Sequence, residues 1–184
     1  LLRKDINLEA VGKMAELRED SSRLQIGTRG RYKQSFLVIG RVRVAWSEGF
    51  WNEWFVRFSD GTEGWLAEAQ GFFMISFAVA TPPDLPSLTK LRPGSSVRIE
   101  NTSYDVDDIK QVTYVFAEGE LPFAAPVGTR ALSIDLSHGE SDFASLSATF
   151  TDPAGSAGEV DVFLGKYVEF QDFNFENLRP VRGW

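Results

Sequence analysis

From Ser35 to Trp46 the chain reads SFLVIGRVRVAW. Phe36, Val38, Val42, Val44 and Trp46 fall on one side of an extended strand, with Gly40 among them. Leu37, Ile39, Arg41, Arg43 and Ala45 fall on the other. A polarity period of two is the mark of a β-strand with one buried face, because successive side chains leave a strand on opposite sides. The pattern continues past a turn at Ser47 to Gly49. In FWNEWFVRF, Phe50, Trp54, Val56 and Phe58 join the core side, and Trp51, Glu53, Phe55 and Arg57 face outward. SDGT is a turn centred on Asp60-Gly61. EGWLAEAQ and FFMISFAV follow as further strands, and GRYKQ supplies a short fifth arm.

The prolines Pro82, Pro83 and Pro86 exclude a central strand from ATPPDLPSLTK. Residues 79–90 read as a linker. Beyond it the order of signals repeats. LQIGTRGRY at Leu24 resembles LRPGSSVRI at Leu91, and SFLVIGRVRVAWSEG resembles SYDVDDIKQVTYVFAEG. SDGTEGWLA resembles SHGESDFAS around His138. Each copy is a five-stranded meander of the size of a small barrel. The expected fold is therefore all-β: two tandem SH3-like small barrels produced by internal duplication, over residues 24–78 and 91–184. A helical segment over residues 1–23 precedes them. There Leu8, Val11, Met14, Ala15 and Leu17 form one stripe from Asp5 to Asp20, with Asp5 or Asn7 as cap.

Composition narrows the functional classes. There is no Cys, so neither a disulfide nor a thiolate metal site exists within these residues. No apolar run approaches the roughly 20 residues of a membrane span, and cytoplasm is the default compartment. The chain starts at Leu1 without Met and reads as a segment of a longer protein. The net charge of −7 is unevenly spread. Through Arg98, basic residues outnumber acidic ones by three; from Ile99 onward, acidic residues are in excess by ten. Halves of opposite sign attract each other or face different partners. The overall sign disfavours nucleic-acid binding.

The motif Gly40-Arg41, Trp51-Asn52-Glu53-Trp54, Asp60-Gly61 and Trp65-Leu66, followed by AEGELPF and ENLRP, resembles a bacterial family catalogued as domain of unknown function 4178. The resemblance runs from about Leu24 to near the end of the chain. It implies cysteine-rich zinc-ribbon segments flanking the domain in the full-length protein. It also implies gene neighbours related to membrane stress, ion channels or polyamine synthases. It carries no catalytic residues.

The candidate chemistry is sparse. His138, the one histidine, stands in a turn near Asp135, Glu140 and Asp142, too few nitrogen or sulfur donors for a transition metal. DVDD at Asp105 to Asp108 lacks the glycine and distal glutamate of a calcium loop. Glu118 and Glu120, and Glu53, Asp60, Glu63 and Glu68, could form carboxylate pairs. Acid–base work needs such a pair in a cleft with a raised pKa. Glu53 is placed to pair with Arg41 or Arg43 across strands. No phosphate loop or serine elbow occurs. What remains is a basic, aromatic surface in which Trp51 and Phe55 share a face with Arg41, Arg43 and Arg57. It would serve a protein or peptide partner, or form a seam against the acidic second half. The expected role is thus a non-catalytic binding module in a larger assembly, with no cofactor in this segment. The alternative is an enzyme or accessory subunit acting on a small anionic or polyamine ligand between the repeats.

Overall fold

The computed structural model describes residues 21–124, 127–151, 155 and 157–181. The helix expected at Asp5 to Asp20 lies outside them. Ten strands follow in order: β1 (Arg29–Tyr32), β2 (Gln34–Trp46), β3 (Gly49–Phe58), β4 (Glu63–Ala69), β5 (Phe72–Val79), β6 (Ser96–Ile99), β7 (Thr102–Gly119), β8 (Arg130–His138), β9 (Asp142–Thr149) and β10 (Asp161–Tyr167). The only helices among the described residues are two single 3-10 turns, Leu88–Lys90 and Phe170–Phe173. No helix among them is long and apolar enough to cross a membrane.

The expected all-β class holds, but the ladder does not stop at the linker. Every neighbouring pair is antiparallel, and the order is β1-β2-β3-β4-β5-β10-β9-β8-β7-β6, with β2 also paired to β7. The β5–β10 and β2–β7 pairings both join the halves. They close β2, β3, β4, β5, β10, β9, β8 and β7 into one eight-stranded barrel. Two separate barrels would each need a fifth strand to return to its own first strand. Here β2 and β7 are long enough to serve two sets of partners. The start of β2 pairs with β1, and Gly40 to Ala45 pair with β7. The start of β7 likewise pairs with β6.

Glycines permit both seams. An added Cβ at Gly40 would lie 1.8 Å from the Glu120 carbonyl oxygen, and one at Gly165 would lie 1.8 Å from that of Ile75. At Gly119 it would lie 2.3 Å from the Ile39 carbonyl oxygen. The two backbones can approach this closely only where no side chain stands between them.

Three apolar clusters result. Phe36, Val38, Trp54, Val56, Phe58, Leu66, Phe73 and Ile75 form a core over the first half, closed by Leu24 and by Phe173 from the segment after β10. Val97, Ile99, Val106, Ile134, Leu136 and Leu146 form a core over the second, closed by Leu88 and Leu91. The third contains Val42, Val44, Phe55, Trp65, Val112 and Ala131, with Phe163 packed against it. Because it draws on strands from opposite sides of the barrel, it fills the interior. The linker expected at residues 79–90 is thus also a lid on the second core.

A β-bulge explains how the cores divide. The β2–β3 register passes from Val38↔Val56 directly to Gly40↔Phe55. Ile39 is the extra residue, and it inverts which face the rest of β2 presents. Phe36 and Val38 therefore pack with Trp54, whereas Val42 and Val44 point into the barrel. The expectation that Val42, Val44 and Trp46 share the Trp54 core is corrected on this ground. A matching irregularity occurs in β7 between Val106 and Asp108.

Candidate functional site

The bulge also rearranges the expected basic, aromatic surface. Arg41 pairs in register with Trp54, and Arg43 with Asn52; Trp51 lies opposite Val44. Directly paired residues share a face. Arg41 and Arg43 thus project outside the barrel, while Trp51 and Phe55 project inward.

Phe55 is buried and packs on Trp65 with ring centroids 5.0 Å apart. Arg41 donates to Asn52 Oδ1 at 3.2 and 2.8 Å, lies over the Trp54 ring at 4.6 Å and pairs with Glu118 at 3.6 Å. Arg43 is 1% exposed, with its guanidinium carbon 3.8 Å from the Phe50 ring centroid. Arg57 is half-exposed and bridges Glu63 at 2.9 Å and Glu120 at 3.2 Å. Glu118 and Glu120 belong to the end of β7 and its following residue. Arg41 and Arg57 therefore lace the first half to the second, as a seam between halves of opposite charge.

The remaining candidates separate as well. Glu68 accepts from Trp54 Nε1 at 3.0 Å and Ser22 Oγ at 2.6 Å, satisfying polar groups at the rim of the first core. The Asp60 carboxylate accepts from the Thr62 hydroxyl at 2.6 Å and the Thr62 amide at 2.9 Å. The Thr62 hydroxyl, then Gln34, then the Thr62 amide hold its pKa down to about 2. Asp60 is a turn residue. His138 is exposed at the end of β8, with Nδ1 2.9 Å from the Ser103 carbonyl oxygen. Among the described residues no group of three or more His, Asp or Glu side chains is arranged to hold a metal.

What the fold brings together is a different set, at the end of the barrel carrying the β2–β3 turn. Trp51 donates its indole N–H to Glu53 Oε1 at 2.9 Å. Lys110, in the middle of β7, places Nζ 4.8 Å from the Trp46 ring centroid and 6.0 Å from that of Trp51. The same ammonium pairs with Asp108 and lies 3.9 Å from Asp135 Oδ2. Asp135 alternates with Ile134 and Leu136 of the second core, so it faces the barrel interior. Glu53, on the face of Trp51 and Phe55, does too.

These groups carry the signature of a partly dry site. Burial pushes Asp135 up to about 6; Lys110 opposes the shift, and Asp108 and Asp107 add to it. Burial also raises Glu53, against the hydrogen bond from Trp51 and with a contribution from the Asp135 charge. Tyr114 is pushed up to about 12 by burial and then by the Glu53 charge, with a hydrogen bond from Ser147 opposing. Two carboxyls and a phenol thus feel one another across the barrel from opposite halves. The arrangement can hold a cation against indole faces and can retain a proton near neutral pH.

The sequence suggests Trp51 for an outward surface with Arg41, Arg43 and Arg57, and Glu53 as a partner of Arg41 or Arg43; the structure instead turns both inward, with Lys110, Asp135, Tyr114 and Trp46. The available signal was Asp135 itself, a charge at an alternating position within a strand. Grouping it with the His138 turn concealed that. Lys110 was hidden by the irregularity in β7.

Fold and site define a closed antiparallel β-barrel protein with an acidic and aromatic polar cluster inside it. The chain belongs to the family described as Domain of unknown function (DUF4178), whose family model matches residues 25–170. No curated protein and no solved structure matches it.

Proposed function

We propose that this domain is a non-catalytic module within a larger assembly, and that it binds a protein or peptide partner through a basic side chain. The observation that supports this is the seat of Lys110. An ammonium lies against two indoles, Trp46 and Trp51, with Asp108 and Asp135 as counter-ions and Glu53 behind. Indole faces and carboxylates are the chemistry that recognises lysine and arginine. Lys110 is then a built-in occupant, and a partner's cation competes with it. The acidic excess of the second half steers a basic segment toward the site. Partner and assembly lie in the cytoplasm on this reading. The five-and-five order of strands, with each long strand interrupted by bulges, supports descent from a duplicated SH3-like unit.

The test is titration of the protein with a short peptide bearing one central lysine, followed by indole fluorescence. Lys110→Ala should tighten binding and Trp51→Ala should remove it. If the peptide gives no saturable signal with the parent or with Lys110→Ala, the reading fails.

A second reading, a small ligand handled between the halves by an enzyme or accessory subunit, draws on Asp135 and Glu53. Carboxyls raised toward neutrality in a partly buried site suit general acid–base chemistry. It would require that Asp135→Asn abolish turnover of a substrate whose complex still forms.

A further inference from the structure

A concavity lies on the outer side of the barrel, over the seam where β5 meets β10. It has a volume of about 350 Å³ and draws its walls from both halves: Tyr32, Lys33 and Phe77 on one side, and Tyr104, Asp142 and Lys166 on the other. Its existence follows from the closure. The first and second cores both lie outside the barrel, on either side of this seam. At the seam Phe77 packs toward one core and Leu164, its register partner, toward the other. Gly165 contributes no side chain to the floor and can carry none, because a Cβ there would strike the Ile75 carbonyl.

The walls are aromatic and the charge is positive. Tyr32 stacks near Phe77, ring centroids 6.3 Å apart, and Phe58 lies 5.5 Å from Phe77. Lys166 pairs with Asp142. Lys33 has no carboxylate within 4 Å among the described residues, and its Nζ lies 5.6 Å from the Tyr32 ring centroid. Among the lining residues two ammoniums face one carboxylate, an excess of one positive charge in a protein whose net charge is −7, with Glu100 outside the lining but felt by Tyr104. Lys33 is also held at φ +61°, at the corner between β1 and β2. Left-handed backbone at a residue other than glycine costs free energy, and here it makes the one-residue turn that aims Lys33 from the end of the hairpin.

We propose that this groove binds a small aryl monoanion, a ring bearing one carboxylate or phosphate group. Lys33 takes the charged group, with Lys166 at the far wall and the Tyr32 and Tyr104 hydroxyls as further donors. The ring lies against Tyr32 and Phe77. The volume is at the small end of the range for ligand pockets, which suits a single ring. Anion and ring must be joined: neither an isolated ammonium nor an open aromatic wall would hold a small ligand against water. This site is separate from the Lys110 cluster in position and in the sign of its ligand.

The test uses benzoate and phenyl phosphate as probes, with benzyl alcohol and benzylamine as neutral and cationic counterparts, followed by amide nitrogen–proton spectra. The anions should give saturable shifts at Tyr32, Lys33, Gly165 and Lys166. The counterparts should bind at least about tenfold more weakly, a difference of about 1.4 kcal/mol. Lys33→Gln should weaken anion binding by a similar factor. Lys33→Gly removes the charge and relieves the left-handed strain, so it should lose binding while melting no lower than the parent. Trp51→Ala should leave the anion shifts in place. Equal binding of benzyl alcohol, absence of saturable shifts with both anions, or undiminished binding by both Lys33 variants would overturn the proposal.

Discussion

The indole N–H of Trp51 donates to the Glu53 carboxylate at 2.9 Å, between residues two positions apart on the same inward face of β3. A donor held against a partly dry carboxyl favours its charged form, against the burial that raises its pKa. Trp51→Phe keeps most of the ring's packing and removes only the donor. The Glu53 carboxyl should then titrate at a higher pH than in the parent. Carbon-13 titration of the side-chain carboxyl reads this directly, and an unchanged or lower midpoint would contradict it.

Asp135 should titrate near pH 6. Its folded pKa lies above its unfolded value, so the folded state binds more protons between the two. The stability contributed by the protonated carboxyl is present below about pH 4 and is lost as pH rises through about 6. Its side chain remains 41% exposed, so screening makes the effect modest. Melting temperatures measured across that window should fall less steeply with rising pH in Asp135→Asn. Lys110→Ala should raise the Asp135 midpoint further, because it removes the opposing charge.

Trp54 and Trp51 should differ in what their loss costs. Trp54 is fully buried in the first core, and Trp54→Ala should destabilise by about 3–5 kcal/mol. Trp51 is half-buried beside the interior cluster, so Trp51→Ala should cost roughly half as much. Denaturant unfolding of both variants tests the ranking. Equal losses would make the Lys110 seat a structural feature and remove the ground for a binding role.

The seams should be intolerant of any side chain. Gly165→Ala and Gly40→Ala each drive a Cβ into backbone and should destabilise by several kcal/mol, as overpacking or seam separation requires. Gly94→Ala is the control. Its φ is +88°, but a Cβ there meets nothing within 4 Å, so only about 1 kcal/mol of backbone strain is expected. Losses at Gly165 and Gly40 no larger than at Gly94 would mean that close backbone approach does not govern the seam.

Much of the strand content was legible in local sequence. The strands over SFLVIGRVRVAW and FWNEWFVRF and the Asp60-Gly61 turn depend on neighbours in the chain, and each is where the sequence puts it. Trp54 was rightly assigned to a core because its phase matches Val56 and Phe58 along one unbroken strand. The same reasoning failed across Ile39. A bulge adds one residue to one strand of a pair, and whether it forms depends on the partner's register. Arg41 and Arg43 were therefore placed on the face of Trp51 when they occupy the opposite one.

The sequence by itself determined that this chain is built of antiparallel strands, with opposite charge on the two halves. Those properties follow from side-chain period, turn residues and composition, all local. Only the tertiary structure decided that β5 pairs with β10 and β2 with β7, so that the two halves share one barrel. That choice rests on backbone approach at Gly40, Gly119 and Gly165 and on the free edges of strands far apart in the chain. It also decided the chemistry of the interior. Glu53 and Asp135 are ordinary surface carboxyls by sequence. Their raised pKa values arise only because closure turns both toward the barrel interior, where each is partly desolvated and the Asp135 charge reaches Glu53.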